Sequence, residues 1–454
     1  VKLFGTDGVR GRFGREPITP QTLLKFGWAF GSVLRESSDS PCEVIIGKDT
    51  RVSGYLMETA LTSGLLSSGV NIALLGPIPT PGVSYFCSRD HACGGIVISA
   101  SHNSAEDNGI KVLRAGGSKL PSHIEKLIEQ RMSQPIDVVE PKNLGKARRI
   151  DDAVDLYVDY LCNKAECMLD GMRIVVDCAN GASYRVAPRV LEKLGAQVIA
   201  VANSPDGYNI NRNCGSTNPQ FITASTIEHK ADVGIALDGD GDRVLMVDGK
   251  GNLVNGDQIL YIIAIARKRE GKLDGGVVGT LLSNIGLASA LSENEIPFQR
   301  ANVGDRFVSE YLKRLKWNLG GEECGHIING EVGIPGDGIL VALEVLGEIV
   351  KTGKSLNKLT DGMSLMPQVS VNVNLQTLNS PLADFDLCRW PKTDQAIQLA
   401  ETELSMNGRV LLRASGTEPT IRVLVEGGDQ QKVTRIANEL ADVVRDEARE
   451  VISA

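Results

Sequence analysis

Four short stretches hold side chains whose types and spacing could do chemistry. The first, residues 94–112, reads GGIVISASHNSAEDNGIKV. It opens as an apolar run at Ile96, Val97 and Ile98, the mark of a buried strand, then breaks into Ser, His, Asn and Asp, and recovers as a second short strand over 110–112. In an open α/β sheet, the loop leaving the carboxyl end of a strand is where ligands bind. Here that loop carries Ser101, a candidate nucleophile, with His102 beside it and Lys111 further along. Taken alone, the stretch also reads as an ordinary polar turn, because Ser, Asn and Asp fill turns for backbone reasons.

The second stretch puts Asp238, Asp240 and Asp242 at alternate positions after an apolar strand, with Arg243 following. Carboxylates this close repel, and a hard divalent cation relieves the repulsion; magnesium is the natural ion. An EF-hand also spaces its ligands alternately, but its sixth position would be Arg243 where glycine is required. Its twelfth would be Gly249 where a bidentate glutamate is required. In the third stretch, RASGTEPTIR, the hydroxyls of Ser415 and Thr417, the backbone at Gly416 and the guanidiniums of Arg413 and Arg422 suit a phosphate dianion. It is not a Walker loop, and the nearest approach to one, residues 347–355, has one residue too many between its glycines. The fourth stretch holds Glu322, Cys324 and His326 and is weak by itself; Cys324 reads as a small inert residue.

The elements that must position these loops are legible in outline. Strands are expected over 43–47, 70–75, 173–177, 197–201, 232–237 and 276–280. Helices are expected over 53–68 (with Ser53 as N-cap), 122–132, 153–160, 258–269 and 338–350. Residues 133–149 mix Pro, Gly and charge and read as a boundary. A glycine-rich loop is expected to begin at Gly320 and Gly321. Beyond residue 368 the pattern changes to an alternating strand, a helix over 394–405, two strands and a final helix over 430–451, an α+β unit. Three successive α/β units thus end a strand in an unusual loop: ISASHN, IALDGDGDR and LGGEECGH.

Composition narrows the function classes. A chain of 454 residues divides into about three to four domains. A net charge of -8 with mixed signs offers no basic face for nucleic acid or anionic membrane, and 4% aromatics argues against base-stacking platforms. Nine scattered cysteines without metal spacing read as reduced thiols in a cytoplasmic compartment. The first residues lack a signal-peptide core, and no apolar run is long enough to span a membrane.

Together and in this order, the four loops resemble the α-D-phosphohexomutase superfamily over essentially the whole chain. The opening LFGTDGVRG, the run NINRNCGS at 209–216 and the run VGDR at 303–306 are similar to the branch that works on glucosamine phosphates. The phosphomannomutase/phosphoglucomutase branch, with the same mechanism, is the alternative. The resemblance implies an α/β fold with three similar mixed-sheet domains (1–150, 151–252 and 253–366) around a central cleft. It also implies a C-terminal α+β domain (367–454) with a helix-backed antiparallel sheet.

The implied activity is that of an isomerase, an intramolecular phosphotransferase interconverting glucosamine 6-phosphate and glucosamine 1-phosphate. It would use a phosphoserine enzyme and a 1,6-bisphosphate intermediate, on the route to UDP-N-acetylglucosamine. By position in the motifs, Ser101 would carry phosphate and, with Asp238, Asp240 and Asp242, hold one Mg2+ per active site. Lys111, Arg10, Arg243 and His326 would be catalytic, with Lys111 and His326 the two admissible residues for proton transfer. Glu322 and Cys324 would face the sugar hydroxyls, and Arg413, Ser415, Gly416, Thr417 and Arg422 would hold the non-reacting phosphate. The implied partners are a small sugar phosphate and a second copy in a homodimer, with neither nucleic acid nor membrane. Two positions depart from the superfamily pattern: Ser104 replaces a proline, and Cys324 replaces a serine that helps bind the sugar. A metal-dependent sugar phosphatase and a non-catalytic sugar-phosphate binder are rival classes. A serine hydrolase is disfavoured because no GxSxG elbow surrounds Ser101 and, on an extended chain, His102 would point away from it.

Overall fold

The computed structural model describes residues 3–5, 8–37, 41–330, 336–375, 390–405, 408–414 and 420–453. The chain forms two compact units, one of Val1–Thr280 with Gln299–Asp361 and one of Leu281–Phe298 with Gly362–Ala454.

The first unit is built on three sheets. Strands β1 (Val9–Arg12), β2 (Glu43–Lys48), β3 (Asn71–Pro77), β4 (Gly94–Ile98), β5 (Asp107–Arg114) and β6 (Ala147–Arg149) form the first, in the order β1-β5-β4-β2-β3-β6. The central strands β2, β3 and β4 run parallel, and β5 returns antiparallel to β4. Such strands are covered on both faces, which is why EVIIGK and GGIVI read as apolar runs rather than alternations. The second sheet takes β7 (Arg173–Asp177), β8 (Gln197–Val201), β9 (Val233–Leu237), β10 (Val244–Asp248) and β11 (Leu253–Val254) in the order β11-β10-β9-β7-β8. The third takes β12 (Val277–Thr280), β13 (Phe298–Ala301), β14 (Leu319–Gly321) and β15 (Ile327–Asn329) in the order β13-β12-β14-β15. One arrangement recurs in all three: a strand paired parallel to one neighbour turns back antiparallel through a loop, as in β4 to β5, β9 to β10 and β14 to β15.

In the second unit β16 (Gln368–Asn374), β17 (Arg409–Ala414) and β18 (Thr420–Glu426) form an antiparallel sheet ordered β16-β18-β17. Val373, Ile421, Val423 and Val425 share an apolar core with Val433, Ile436, Leu440 and Val444 of helix Gln430–Ser453. The segment 281–298, inserted by sequence into the third α/β unit, is fastened here. Arg409 donates to Leu281 O and Ser283 O at 2.8 and 2.7 Å, and the buried Glu426 accepts from Arg409 Nε and from the Ile285 amide at 2.7 and 2.8 Å.

Three local expectations are corrected. Helix Ser53–Ser67 has Val52 in its cap position with no side-chain cap, and the Ser53 hydroxyl instead accepts from Asn108 Nδ2 at 2.8 Å. The boundary stretch ends in β6, which pairs with β3 and extends the first sheet. Gly320 and Gly321 lie in β14, so the loop begins only at Glu322; a Cβ on Gly320 would come within 2.7 Å of Val278 O of the neighbouring strand. Among the described residues, no helix is long and apolar enough to cross a membrane.

Candidate active site

The Ser101 loop leaves β4 and turns sharply, because Ser101 has φ 51°, in the left-handed region. This turn buries the side chain, 1% exposed, and sends its hydroxyl to Asp238 Oδ2 at 2.5 Å. The carboxylate loop comes equally close. A Cβ on Gly239 would sit 2.5 Å from Ser101 O, so only glycine allows the approach.

Asp238, Asp240 and Asp242 are all buried, and one oxygen from each lies within 4.8 Å of the others. Lys111 reaches across from β5, its Nζ 2.7 Å from Asp240 Oδ2 and 2.6 Å from Asp242 Oδ2. Thr80 supports the loop twice, donating its hydroxyl to Asp240 Oδ2 at 2.6 Å and its amide to Asp240 O at 2.9 Å. Gly338, at the start of helix Gly338–Thr352, donates its amide to Gly241 O at 3.0 Å. That helix is capped by Asp337, which also accepts from Tyr157 at 2.5 Å.

Burial, together with the charges of Asp240 and Asp242, pushes the Asp238 carboxyl well above the usual carboxylate range. Burial and Asp242 push Asp240 the same way, but the Lys111 ammonium holds it below that range. In Asp242, Lys111, His326 and Arg243 outweigh burial and hold the carboxyl well below. The donor set fits a hard divalent cation. It is all oxygen, and Asp240 Oδ1 and Asp242 Oδ1 are buried without a hydrogen bond among the described residues.

His326 stands between two carboxylates, Nδ1 3.5 Å from Asp242 and Nε2 3.5 Å from Asp305. Burial alone would lower its pKa, but Asp242, Asp305 and Glu322 raise it to about 9. Asp305 also takes Lys119 Nζ at 2.5 Å. Glu322 accepts from the Gly304 amide at 3.0 Å, which draws the 303–306 run against the third loop. Cys324 Sγ lies 4.0 Å from Glu322 Oε2, and burial pushes its thiol up to about 11, so it stays protonated and no nucleophile. Arg243 donates its amide to Asp238 Oδ1 at 3.2 Å. Arg10 lies in β1 opposite Gly109. Burial and the charges of Arg243 and Arg10 lower His102 to about 4, so the imidazole is neutral and lies beside the cations. A cavity of about 640 Å³, lined in part by Lys111, Lys119, Asp242, Asp305 and His326, is large enough for a hexose phosphate.

The structure therefore brings Ser101, Lys111, Asp238, Asp240, Asp242, Arg243, His326, Glu322 and Cys324 together in the first unit. In the second unit, Arg413 of β17 pairs directly opposite Arg422 of β18. Like charges directly opposite on paired strands disfavour each other, and arginine is a residue type that binds phosphate oxygens. Ser415, Gly416 and Thr417 lie outside the described residues. Thr80, Arg51, Asn211 and Asp305 touch these residues, at Asp240, Ser101, Ser101 and His326 respectively, and residue type alone did not single them out. The runs 209–216 and 303–306 were the available signal for the last two.

Models of the phosphoglucomutase/phosphomannomutase family match along the chain: alpha/beta/alpha domain I at residues 1–137, domain II at 155–251, domain III at 255–366 and the C-terminal domain at 372–443. A relative from Serratia proteamaculans (strain 568), named phosphoglucosamine mutase, is 50% identical over 446 residues, covering 98% of each chain. Among solved structures, a phosphoglucomutase/phosphomannomutase family protein from Burkholderia thailandensis superposes with a TM-score of 0.80 at 21% identity, covering 98% of this chain and 97% of that one. An Aspergillus fumigatus N-acetylphosphoglucosamine mutase, in complex with GlcNAc-6P and magnesium, gives a TM-score of 0.66 at 17% identity, covering 98% and 96%. With four family models in register along the chain and a relative at 50% identity over 98% of it, the chain belongs to the phosphoglucomutase/phosphomannomutase family.

Proposed function

We propose that the chain interconverts glucosamine 6-phosphate and glucosamine 1-phosphate, carrying the phosphoryl group on Ser101. The observation that carries this is the Ser101 hydroxyl 2.5 Å from Asp238, with Lys111 bridging the other two aspartates. Carboxylates and cations around a serine suit a phosphoryl carrier, whose catalysis rests on positioning and charge neutralisation. The 209–216 and 303–306 runs, and relatives named phosphoglucosamine mutase at 50% identity, support an amino sugar as substrate.

In the first half-reaction the 1-hydroxyl oxygen of glucosamine 6-phosphate attacks the phosphorus of phosphoserine. The bond from phosphorus to Ser101 Oγ breaks, and the proton of the sugar hydroxyl passes by way of a base to the departing Ser101 oxygen, which leaves as a hydroxyl. The product, a 1,6-bisphosphate, turns end for end. Ser101 Oγ then attacks the phosphorus of the 6-phosphate, the bond from that phosphorus to the sugar's 6-oxygen breaks, and the serine proton passes through the same base to the departing 6-oxygen, restoring phosphoserine. A phosphoserine carries roughly -1.5 to -2 charges, and Lys111, Arg10 and Arg243 offset its repulsion of an incoming sugar phosphate. Asp238, Asp240 and Asp242, with Ser101, would hold one magnesium ion, which when bound neutralises charge on the transferring oxygens. His326, fixed between Asp242 and Asp305, orients the substrate; Glu322 and Cys324 meet the sugar hydroxyls. Arg413 and Arg422, with Ser415, Gly416 and Thr417, form the element for the phosphate that is not reacting. Water must be kept from the bisphosphate stage, because hydrolysis would leave Ser101 bare.

The test pairs intact mass and peptide mapping of protein treated with a hexose 1,6-bisphosphate with coupled assays on glucosamine, glucose and mannose 6-phosphates. One phosphate on the Ser101 peptide, its absence in Ser101→Ala, and the highest kcat/KM on glucosamine 6-phosphate are expected. Full turnover in Ser101→Ala would remove the carrier, and a higher kcat/KM on an unaminated sugar would transfer the assignment to the phosphomannomutase/phosphoglucomutase branch.

A further inference from the structure

The loop that presents Ser101 is held by its backbone carbonyls. Ser101 O accepts from Arg51 Nη2 at 3.0 Å and from Asn211 Nδ2 at 2.8 Å. Asn103 O accepts from the same two groups, each at 2.9 Å, and Ser104 O accepts from Arg51 Nη1 at 2.6 Å. The amide of Ser101 is pinned as well. It donates to Ser99 Oγ at 2.9 Å, and that hydroxyl donates to Asp49 Oδ2 at 2.6 Å, the oxygen that also takes Arg51 Nε at 2.9 Å. Both side chains of the Arg51–Asp49 pair are 0% exposed. A buried guanidinium is tolerated only when its donors are used, and here its planar fork is spread over one carboxylate and three carbonyls.

Asn211 reaches this loop from the other direction. It belongs to the 209–216 run, has φ 57°, which asparagine tolerates, and its own amide donates to Ala179 O at 2.8 Å. The same run is tied to the carboxylate loop, because Ser216 donates to Leu237 O at 2.9 Å and Leu237 is the residue before Asp238. One segment therefore grips both partners of the contact between Ser101 and Asp238. A serine at φ 51° does not hold that conformation by local preference, so the outside grip is what keeps its hydroxyl aimed.

We propose that Arg51 and Asn211 are positioning residues that clamp the Ser101 loop by its carbonyls and so hold the Ser101 oxygen in register with the carboxylate loop. The catalytic consequence rests on the mutase function proposed above; the mechanical one does not.

Asn211→Gly tests it most cleanly, because glycine keeps the positive φ and removes both amide donors. Arg51→Lys keeps a charge opposite Asp49 and loses the fork. Two readouts are taken on the full chain: amide exchange of the peptide spanning 99–106, and kcat and KM for glucosamine 6-phosphate after phosphorylation. In Asn211→Gly, exchange in that peptide should rise at least about tenfold while β7 and β9 are unchanged. Its kcat should fall about tenfold to a hundredfold with KM within about twofold, the size expected of a misplacement near 1 Å. Arg51→Lys should follow in the same direction. Unchanged exchange in Asn211→Gly overturns the clamp. So does a loosened loop with undiminished kcat, which would show that aiming is not rate-determining. If the parent has no mutase turnover at all, the mutase function falls and the exchange result alone decides the clamp.

Discussion

Replacing Lys111 with methionine tests how the three carboxylates are kept in one buried place. Lys111 Nζ sits 2.7 Å from Asp240 and 2.6 Å from Asp242, and its side chain is only 7% exposed. Lys111→Met keeps the length and the apolar stem, so the change is one of charge and hydrogen bonding. Removing one partner of a buried ion pair costs about 3–5 kcal/mol, because the other is left uncompensated. The first unit has about 340 residues. Scaled at ~2.1 cal/mol/K per residue, its unfolding entropy of about 0.7 kcal/mol/K converts the loss to a fall in Tm of about 4–7 °C.

The sign of the metal dependence follows from the same geometry. In the parent the ammonium and a bound divalent cation would share the same carboxylates, whereas in Lys111→Met the cation would be the main remaining source of neutralisation. Added Mg2+ should therefore raise Tm more in the variant than in the parent, by linkage to binding in the folded state. Thermal unfolding of both proteins in EDTA and across a Mg2+ titration reads both effects. A variant melting within about 1 °C of the parent in EDTA, or gaining no more from Mg2+ than the parent does, would refute Lys111 as the built-in counter-charge of this site.

Other outcomes follow from the same contacts. Burial pushes Asp337 up to about 6, above the usual carboxylate value, so its ionisation destabilises the fold above that pH and the cost fades as pH falls toward 4. Asp337→Asn should therefore gain on the parent by up to about 3 kcal/mol near pH 8 and lose that advantage by pH 4–5; a Tm gap independent of pH would refute this. Cys324→Ser replaces a weak hydrogen-bonding thiol by a hydroxyl and should lower KM for glucosamine 6-phosphate about twofold to tenfold, checked in the coupled assay. Arg422→Ala removes one of the two arginines paired across β17 and β18 and should raise KM about tenfold to a hundredfold with a smaller change in kcat.

What was legible in the sequence was whatever one loop contains. Asp238, Asp240 and Asp242 announce themselves because all three fall within one turn, and the apolar run before Ser101 marks the strand that delivers it. What was not legible depends on residues distant in the chain. Thr80 looks like any helix-start threonine until Asp240, 160 positions away, takes its hydroxyl and supports the carboxylate loop. Ser53 has the type of an N-cap, yet Asn108 claims its hydroxyl and the cap goes unmade. Gly320 and Gly321 have no side chain with which to show a strand's period, and their reason for being glycine is the backbone packed against them. The attachment of segment 281–298 to the C-terminal sheet depends on Arg409 and Glu426, more than a hundred residues downstream.

The three sheets of the first unit use one device three times. Each brings a parallel strand to its carboxyl end, where ligands bind in such folds, and then returns antiparallel through a short loop. The outgoing side of the loops supplies Ser101, the three aspartates and Glu322; the return side supplies a cation each time, Lys111 in β5, Arg243 before β10 and His326 before β15. All three cations converge on Asp242, at 2.6, 3.9 and 3.5 Å. Asp242 is thus the point at which the registers of the three sheets meet, which accounts for its carboxyl being held well below the usual range although it is buried. A rotation of the first or the third sheet against the second would withdraw Lys111 or His326 and leave a buried carboxylate under-compensated, a cost that keeps the loops in register before any substrate arrives.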